Sequence, residues 1–207
     1  MRTLLVGNTG YITNKFVEEA FPESLVMVMG DTSIRKNRKK NLFVRPFVKN
    51  EKELKDIFST YDFEQIIYFS NYLSFHGETY GEAEMLRKIL QLCRGKRNMR
   101  IVYLTGPERL YDVPTRKTLL VSEMENLSRE YAKLYKTTVK IIRSPYLYSE
   151  QYEKDFLNTV FREISAEQKI TFQEDESQRM FSCQCRIWQN LCIKFLITGM
   201  RRKKFLI

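Results

Sequence analysis

The sequence predicts an α/β fold, with a doubly wound parallel sheet of about seven strands and helices on both faces. Short apolar runs alternate with amphipathic helical segments along most of the 207-residue chain. Most of these runs are continuously apolar, as parallel strands are when crossover helices bury both faces of their sheet. The first run ends in a Gly-x-x-Gly turn, Gly7 to Gly10, that leads directly into a helical pattern. Right-handed crossovers between such units produce a doubly wound sheet.

The first third of the chain supplies four strands and two helices. A helix over residues 11–21 follows the first strand, because apolar side chains recur there at helical spacing. A second helix over 50–61 begins after Asn50, a favourable N-cap residue. Pro46 cannot donate to a strand ladder, so the third strand is the weakest of the four. The four predicted strands cover residues 3–7, 24–31, 42–47 and 63–70.

The remaining chain continues the alternation of strands and helices up to Ser149, where the pattern of predicted elements changes. Helices over 81–94 and 118–136 flank a fifth strand, 99–106, and a sixth strand covers 138–144. An apolar strand at the very end leaves two interpretations open, a minimal domain or a chain that continues beyond Ile207. The segments predicted after the change are a helix over 151–168, a strand over 169–175, a helix over 185–199 and a strand over 203–207.

The composition indicates a globular protein with a basic surface. The chain is 43% hydrophobic and 29% charged, and its net charge of +10 favours anionic partners. Basic residues cluster at 34–41, 94–100 and 200–204, where solvated loops are expected, and no nucleic-acid-binding motif accompanies them. No apolar run is long enough to predict a membrane span, and the N-terminus lacks signal-peptide features. We therefore expect a cytoplasmic protein.

The metal-ligating residue types are sparse. Cys93 stands alone on a predicted helix, and the spacing of Cys183, Cys185 and Cys192 fits no common zinc motif. Buried free thiols are the better interpretation of all four cysteines. His76 is the only histidine, which nearly excludes a histidine-based triad or a multi-histidine metal site. The sequence predicts no metal site.

The glycine turn is the strongest candidate binding element. Gly7 and Gly10 occupy two of the three glycine places of a dinucleotide fingerprint, and Thr13 occupies the third. The helix that follows would direct its N-terminal amides at a phosphate. The alternative is a tight strand–helix turn that binds no ligand. The residues predicted to contact a cofactor here are Gly7, Asn8, Thr9, Gly10, Tyr11 and Ile12.

The end of the second strand predicts where an adenosine ribose would bind. Asp31 could accept hydrogen bonds from both ribose hydroxyls, whereas Arg35 could bind a 2′-phosphate instead. The sequence does not choose between NAD and NADP. Tyr11 and Lys15 have the Tyr-x-x-x-Lys spacing of an oxidoreductase catalytic pair. They lie on the glycine turn and the first helix, however, so packing and solvation are their better interpretation.

The chain resembles the extended short-chain dehydrogenase/reductase family, in its branch of nucleotide-sugar epimerases and dehydratases. LLVGNTGYITNKFV is similar to that family's Gly-x-x-Gly-Phe-Ile-Gly loop, and FEQIIYFSN looks like its fourth strand. In VKIIRSPYLYS, Arg143 and Tyr148 match the family's Arg-x-x-x-x-Tyr-Gly pattern. The segment 156–199 follows the family's later order of elements. In that scheme residues 203–207 form the seventh strand.

The resemblance implies a single NAD(P)-binding Rossmann-like domain over 1–207, with a reduced substrate-side region around 150–190. It adds Ser70 and Thr105, near the ends of the fourth and fifth strands, to the cofactor-binding residues. It also implies a nucleotide-sugar ligand and a homodimer formed through the helices 81–94 and 118–136.

The catalytic motifs depart from those of the family, which uses a Tyr and, four residues later, a Lys. Alignment by distance to the sixth strand places these on Lys117 and Val121, and a shift by two places them on Leu119 and Glu123. Neither register supplies a phenol and a cation. We therefore interpret the chain as an NAD(P)-binding protein without the catalytic pair, a regulatory or partner subunit.

Two other functions stay open at this point. The first is an active nucleotide-sugar enzyme with relocated acid–base residues, in which Tyr111, Tyr131 or Tyr135 replaces the missing phenol. The second is a polyanion or nucleic-acid binder built on the same fold, carried by the basic clusters.

Overall fold

The structure, a computed structural model, divides into two compact units, Met1–Arg143 and Ser144–Ile207. The interpretation of residues 1–207 as one domain with a reduced substrate-side region stays a prediction. The residues that the structure describes are 2–7, 25–30, 42–46, 48, 50–69, 81–96, 98–106, 116–148, 162–166 and 182–184.

The first unit contains a parallel sheet of six strands in the order β3-β2-β1-β4-β5-β6. This is the strand order of the doubly wound Rossmann fold, so the predicted fold class is confirmed. The predicted seventh strand, 203–207, lies outside the described residues. The strands are β1 (Arg2–Val6), β2 (Leu25–Gly30), β3 (Leu42–Pro46), β4 (Gln65–Phe69), β5 (Arg100–Thr105) and β6 (Thr138–Arg143).

The central strands are buried on both faces. In β1, Leu4 and Leu5 point to opposite faces of the sheet, and both are essentially inaccessible to solvent. The same holds for Ile66 and Ile67 in β4. Continuous apolar runs therefore identified these strands correctly, because a strand covered on both sides needs no polar alternation.

Three helices follow strands of the sheet, and each begins and ends within two residues of its predicted bounds. They are α1 (Glu51–Thr60), α2 (Gly81–Leu92) and α3 (Arg116–Tyr135). Asn50 caps α1 as predicted, because its side-chain oxygen accepts a hydrogen bond of 2.9 Å from the Lys52 N–H. All three helices contribute to one apolar core with the sheet. The predicted helix 11–21 lies outside the described residues.

The prediction of a buried free thiol at Cys93 is also confirmed, and the third strand lies where its proline is tolerated. Pro46 is the last residue of β3, which lies at the edge of the sheet, so its missing N–H disrupts no central ladder. Cys93, in the turn after α2, is a buried free thiol, and burial raises its pKa to about 12 despite the nearby charge of Lys96. The other three cysteines are not described apart from the backbone of Cys183.

The second unit is described only in part. β7 (Tyr146–Tyr148) and β8 (Ser182–Gln184) pair in parallel, and residues 162–165 are helical, within the predicted helix 151–168. Neither three-residue strand was expected from the sequence. The predicted strand 169–175 and helix 185–199 lie outside the described residues. Across the described parts of both units, no helix has the length and apolar character needed to cross a membrane.

Candidate functional site

The sheet has a topological switch point between β1 and β4. From β1 the chain proceeds to β2 on one side, and from β4 it proceeds to β5 on the other, while β1 and β4 themselves pair in parallel. In open α/β sheets a crevice forms outside the carboxyl ends of the strands at this point. Gly7 directly follows β1, so it lies at the crevice.

Gly7 is required by its backbone geometry. Its φ is +118°, and a Cβ at this position would lie 2.6 Å from the Phe69 carbonyl oxygen at the end of β4. Its N–H donates a 3.1 Å hydrogen bond to the Met29 carbonyl oxygen of β2. The glycine thus lets the chain leave the sheet between two neighbouring strands at the switch point. Strand packing alone is enough to explain this residue.

Apart from Gly7 and Thr105, the predicted cofactor residues lie outside the described part of the chain. Asn8 follows Gly7 in the chain, Asp31 follows the last residue of β2, and Ser70 follows the last residue of β4. Their order in the chain is therefore compatible with a common site at the carboxyl edge. The predicted residues outside the described ranges are Asn8, Thr9, Gly10, Tyr11, Ile12, Asp31, Arg35 and Ser70.

Thr105 is the second predicted cofactor residue that the structure describes. It is the last residue of β5 and only 2% exposed, and its hydroxyl has no hydrogen-bond partner within the described part of the chain. A buried hydroxyl without a partner costs about 1–3 kcal/mol. Thr105 therefore places an unused polar group at the carboxyl edge of the sheet, the same edge as Gly7.

The first turns of α3 carry the positions where the resemblance places the catalytic pair. Val121 is completely buried, whereas Leu119 is 64% exposed. Glu123 is exposed, and its carboxylate lies 3.7 Å from the Arg87 guanidinium of α2. Of the two registers, the one through Val121 therefore follows the buried side of the helix. The side chain in its Lys place is apolar.

A buried carboxylate joins α3 to the end of β6. The Arg143 guanidinium donates two hydrogen bonds, of 2.8 and 2.7 Å, to the two oxygens of Glu125, and Arg129 donates a third of 2.7 Å. Burial raises the pKa of Glu125, but the hydrogen bonds and charges of the two arginines outweigh it and lower that pKa below its ordinary value. Arg143 is also the sheet partner of Thr105.

The sequence interpretation singled out Arg143 but missed Glu125. A signal was present, because Glu125 lies one helical turn after Val121 and so shares the buried side of α3. A carboxylate at such a position needs a cation, and the sixth strand supplies one.

Two of the three tyrosines proposed as relocated acid–base groups lie at the opposite edge of the sheet from Gly7. Tyr131 and Tyr135 lie in the last turns of α3, which leads into the amino end of β6, the opposite edge of the sheet. Burial raises the pKa of the Tyr131 phenol above its ordinary value, the opposite of activation. Tyr111, and the Tyr11–Lys15 pair, lie outside the described residues.

No family model and no curated protein matches this chain. Solved structures do resemble it. The chain is similar to dTDP-glucose 4,6-dehydratase from Bacillus anthracis in complex with NAD, with 14% identity and a TM-score of 0.77 over 96% of this chain and 72% of that one. It is also similar to UDP-glucose 4-epimerase with UDP-glucose from Thermotoga maritima, with 13% identity and a TM-score of 0.73 over 98% and 74% of the two chains.

A third similar structure is the holo form of L-threonine dehydrogenase from Cupriavidus necator, with 15% identity and a TM-score of 0.73 over 95% of this chain and 72% of that one. At identities this low, the structural similarity establishes a common fold and nothing beyond it. The chain has the Rossmann-like fold of the NAD-dependent nucleotide-sugar epimerases and dehydratases, the extended short-chain dehydrogenase/reductases.

Proposed function

We propose that this protein binds NAD or NADP at the switch-point crevice but lacks hydride-transfer chemistry, and that it acts as a regulatory or partner subunit. The observation that carries the proposal is the contrast between two positions. Gly7 has the positive φ and the lack of a Cβ atom that a dinucleotide turn requires. Val121, at the Lys place of the catalytic pair, is apolar and completely buried.

Loss of chemistry follows from what the reaction needs. A catalytic phenol exchanges a proton with the substrate, and a neighbouring ammonium lowers the phenol pKa so that it can do so near neutral pH. The valine side chain at 121 carries no charge and no donor. The shifted register supplies Leu119 and Glu123 instead, and a carboxylate would raise a phenol pKa rather than lower it.

Retention of the cofactor is supported by the described residues at the carboxyl edge. The hydroxyl of Thr105, which has no partner among the described residues, would contact the nicotinamide half, and the turn after Gly7 would receive the pyrophosphate. Asp31 would favour NAD, and Arg35 would favour NADP. A bound dinucleotide would supply a hydride acceptor, and the residues of this chain would serve to hold and orient it.

The ligand and partner proposals extend the same resemblance. The Thermotoga epimerase structure contains UDP-glucose, and we propose a nucleotide-sugar as the second ligand. We also propose a homodimer through α2 and α3, because these helices border a groove of about 620 Å³ and Leu134 on its rim is 73% exposed. Sedimentation of the wild type and of Leu134→Asp should show a dimer and a monomer, respectively. We propose the cytoplasm as the location, which the buried free thiol of Cys93 favours.

Turnover assays separate this function from an active enzyme. The protein should leave UDP-, GDP- and dTDP-sugars unchanged in the presence of NAD or NADP while it binds one of the dinucleotides saturably. Turnover that Tyr111→Phe abolishes would instead identify an enzyme with a relocated acid–base residue. Absence of binding to either dinucleotide would leave only a shared fold.

A further inference from the structure

Three basic side chains from two parts of the sequence lie at the amino edge of the sheet, opposite the Gly7 crevice. Arg94 follows the end of α2, Lys136 follows the end of α3, and Arg100 begins β5. In a parallel sheet the helices end at the edge where the next strands begin. We call Arg94, Arg100 and Lys136 the amino-edge cation surface.

The contacts between the elements hold this surface together. The Arg94 guanidinium carbon lies 5.0 Å from the centre of the Tyr135 ring, which joins the turn after α2 to the last turn of α3. Arg100 pairs in the sheet with Thr138, two residues after Lys136. A left-handed residue follows each helix, Gly95 in the turn after α2 and Lys136 directly after α3, so the chain turns sharply at this edge.

The cations of this surface are not neutralised by carboxylates. Within the described part of the chain, none of the three side chains forms an ion pair. The other half of the same edge differs, because Asp62 binds both Arg2 and Lys96, at 3.3 and 3.4 Å. Positive charge is therefore concentrated where β5 and β6 begin.

We propose that the amino-edge cation surface binds single-stranded nucleic acid through its phosphates. A ring holds the Arg94 guanidinium from one side, which leaves its N–H donors available to a phosphate and its outer plane available to a base. Several exposed cations at one edge of the sheet suit a chain of phosphates better than a single anion. The net charge of +10 adds attraction at longer range. This surface is independent of the proposed dinucleotide site.

Binding of a fluorescein-labelled thymidine oligonucleotide, followed by fluorescence anisotropy, tests the proposal. The wild type should bind at low salt, and the affinity should fall steeply as salt is added. The triple variant R94Q/R100Q/K136Q should bind about tenfold more weakly at low salt, with a salt slope about 2 smaller, because each of the three phosphate contacts to a single strand contributes about 0.7 to the slope.

The matched control is K52Q/K55Q/R162Q, which removes the same number of positive charges from other described positions. It should bind almost as tightly as the wild type. Equal weakening in both triple variants would overturn the proposal in favour of diffuse attraction by net charge. Two further results would overturn the proposal. One is a wild type that fails to bind the oligonucleotide at low salt, and the other is a wild type that binds only anionic lipid vesicles. Loss of dinucleotide binding would not affect the outcome.

Discussion

The two halves of the candidate site are maintained by different physical requirements. At Gly7 the backbone itself is the functional group, and the packing of β1 against β4 requires a glycine whether or not a ligand binds. At the start of α3 the family's chemistry depends on side chains, and a buried valine at position 121 packs at least as well as a lysine would. A binding turn can thus be retained for structural reasons alone, whereas a catalytic pair has only its function to preserve it.

The largest expected effect comes from filling the space at Gly7. Gly7→Ala should lower the free energy of unfolding by about 4 kcal/mol, because it combines left-handed strain with overlap between the new Cβ and the Phe69 carbonyl. Urea denaturation measures this loss. Gly95→Ala is the matched control, since Gly95 has a φ of +78° but the methyl group of an alanine there would meet no atom within 4 Å beyond its chain neighbours.

Gly95→Ala should cost only the strain, about 1 kcal/mol. Equal losses in the two variants would mean that the close approach to β4 is not what requires Gly7. The comparison between the two halves of the site would then lose its structural basis.

The second test introduces the missing ammonium. Val121→Lys should lower the free energy of unfolding by about 3 kcal/mol, because the site is completely buried and a charge there must be desolvated. Leu119→Lys, two residues earlier and exposed, should change it by less than about 0.5 kcal/mol. Thermal or urea unfolding of the two variants measures the difference. If Val121→Lys left the free energy of unfolding unchanged, this turn of α3 would still accommodate a catalytic lysine.

The third test concerns the buried ion cluster that anchors α3 to β6. Glu125→Gln leaves two guanidinium groups without their carboxylate and should lower the free energy of unfolding by about 2 kcal/mol at neutral pH. The pKa of Glu125 is lowered in the folded protein, so its stabilisation is complete above its ordinary pKa of 4.5 and is lost as the pH falls through the lowered value.

The difference in free energy of unfolding between the wild type and Glu125→Gln should therefore narrow as the pH is lowered below 4.5. Urea denaturation at neutral and acidic pH measures it. A gap that does not change with pH would indicate that the glutamine disturbs packing rather than charge.

The sheet and its helices could be predicted because their signals are local. A continuously apolar run such as that around Ile66 identifies a buried strand, and Asn50 marks a helix start by its own side chain. Right-handed crossovers between these elements then predicted a doubly wound sheet. The three-residue strands Tyr146–Tyr148 and Ser182–Gln184 were missed, because so few residues contain no detectable period.

The candidate site was only partly predictable, because its contacts join residues that are distant in sequence. Gly7 was recognised from its turn, but its approach to Phe69 depends on which strand neighbours β1. Glu125 resembles an ordinary solvated residue in a charged helix until β6 brings Arg143 beside it. The gathering of Arg94 and Lys136 at one edge was likewise invisible, since Lys136 lies outside the three basic clusters of the sequence and only the fold brings its segment beside Arg94.

Calorimetric titration of the wild type and of Thr105→Val with NAD and NADP tests the central claim most directly. The valine removes a buried hydroxyl that has no partner among the described residues, so this variant should be at least as stable as the wild type. The account predicts that the wild type binds one dinucleotide saturably and that Thr105→Val binds it about tenfold more weakly. If neither dinucleotide binds the wild type, the claim that the crevice still holds a cofactor is wrong.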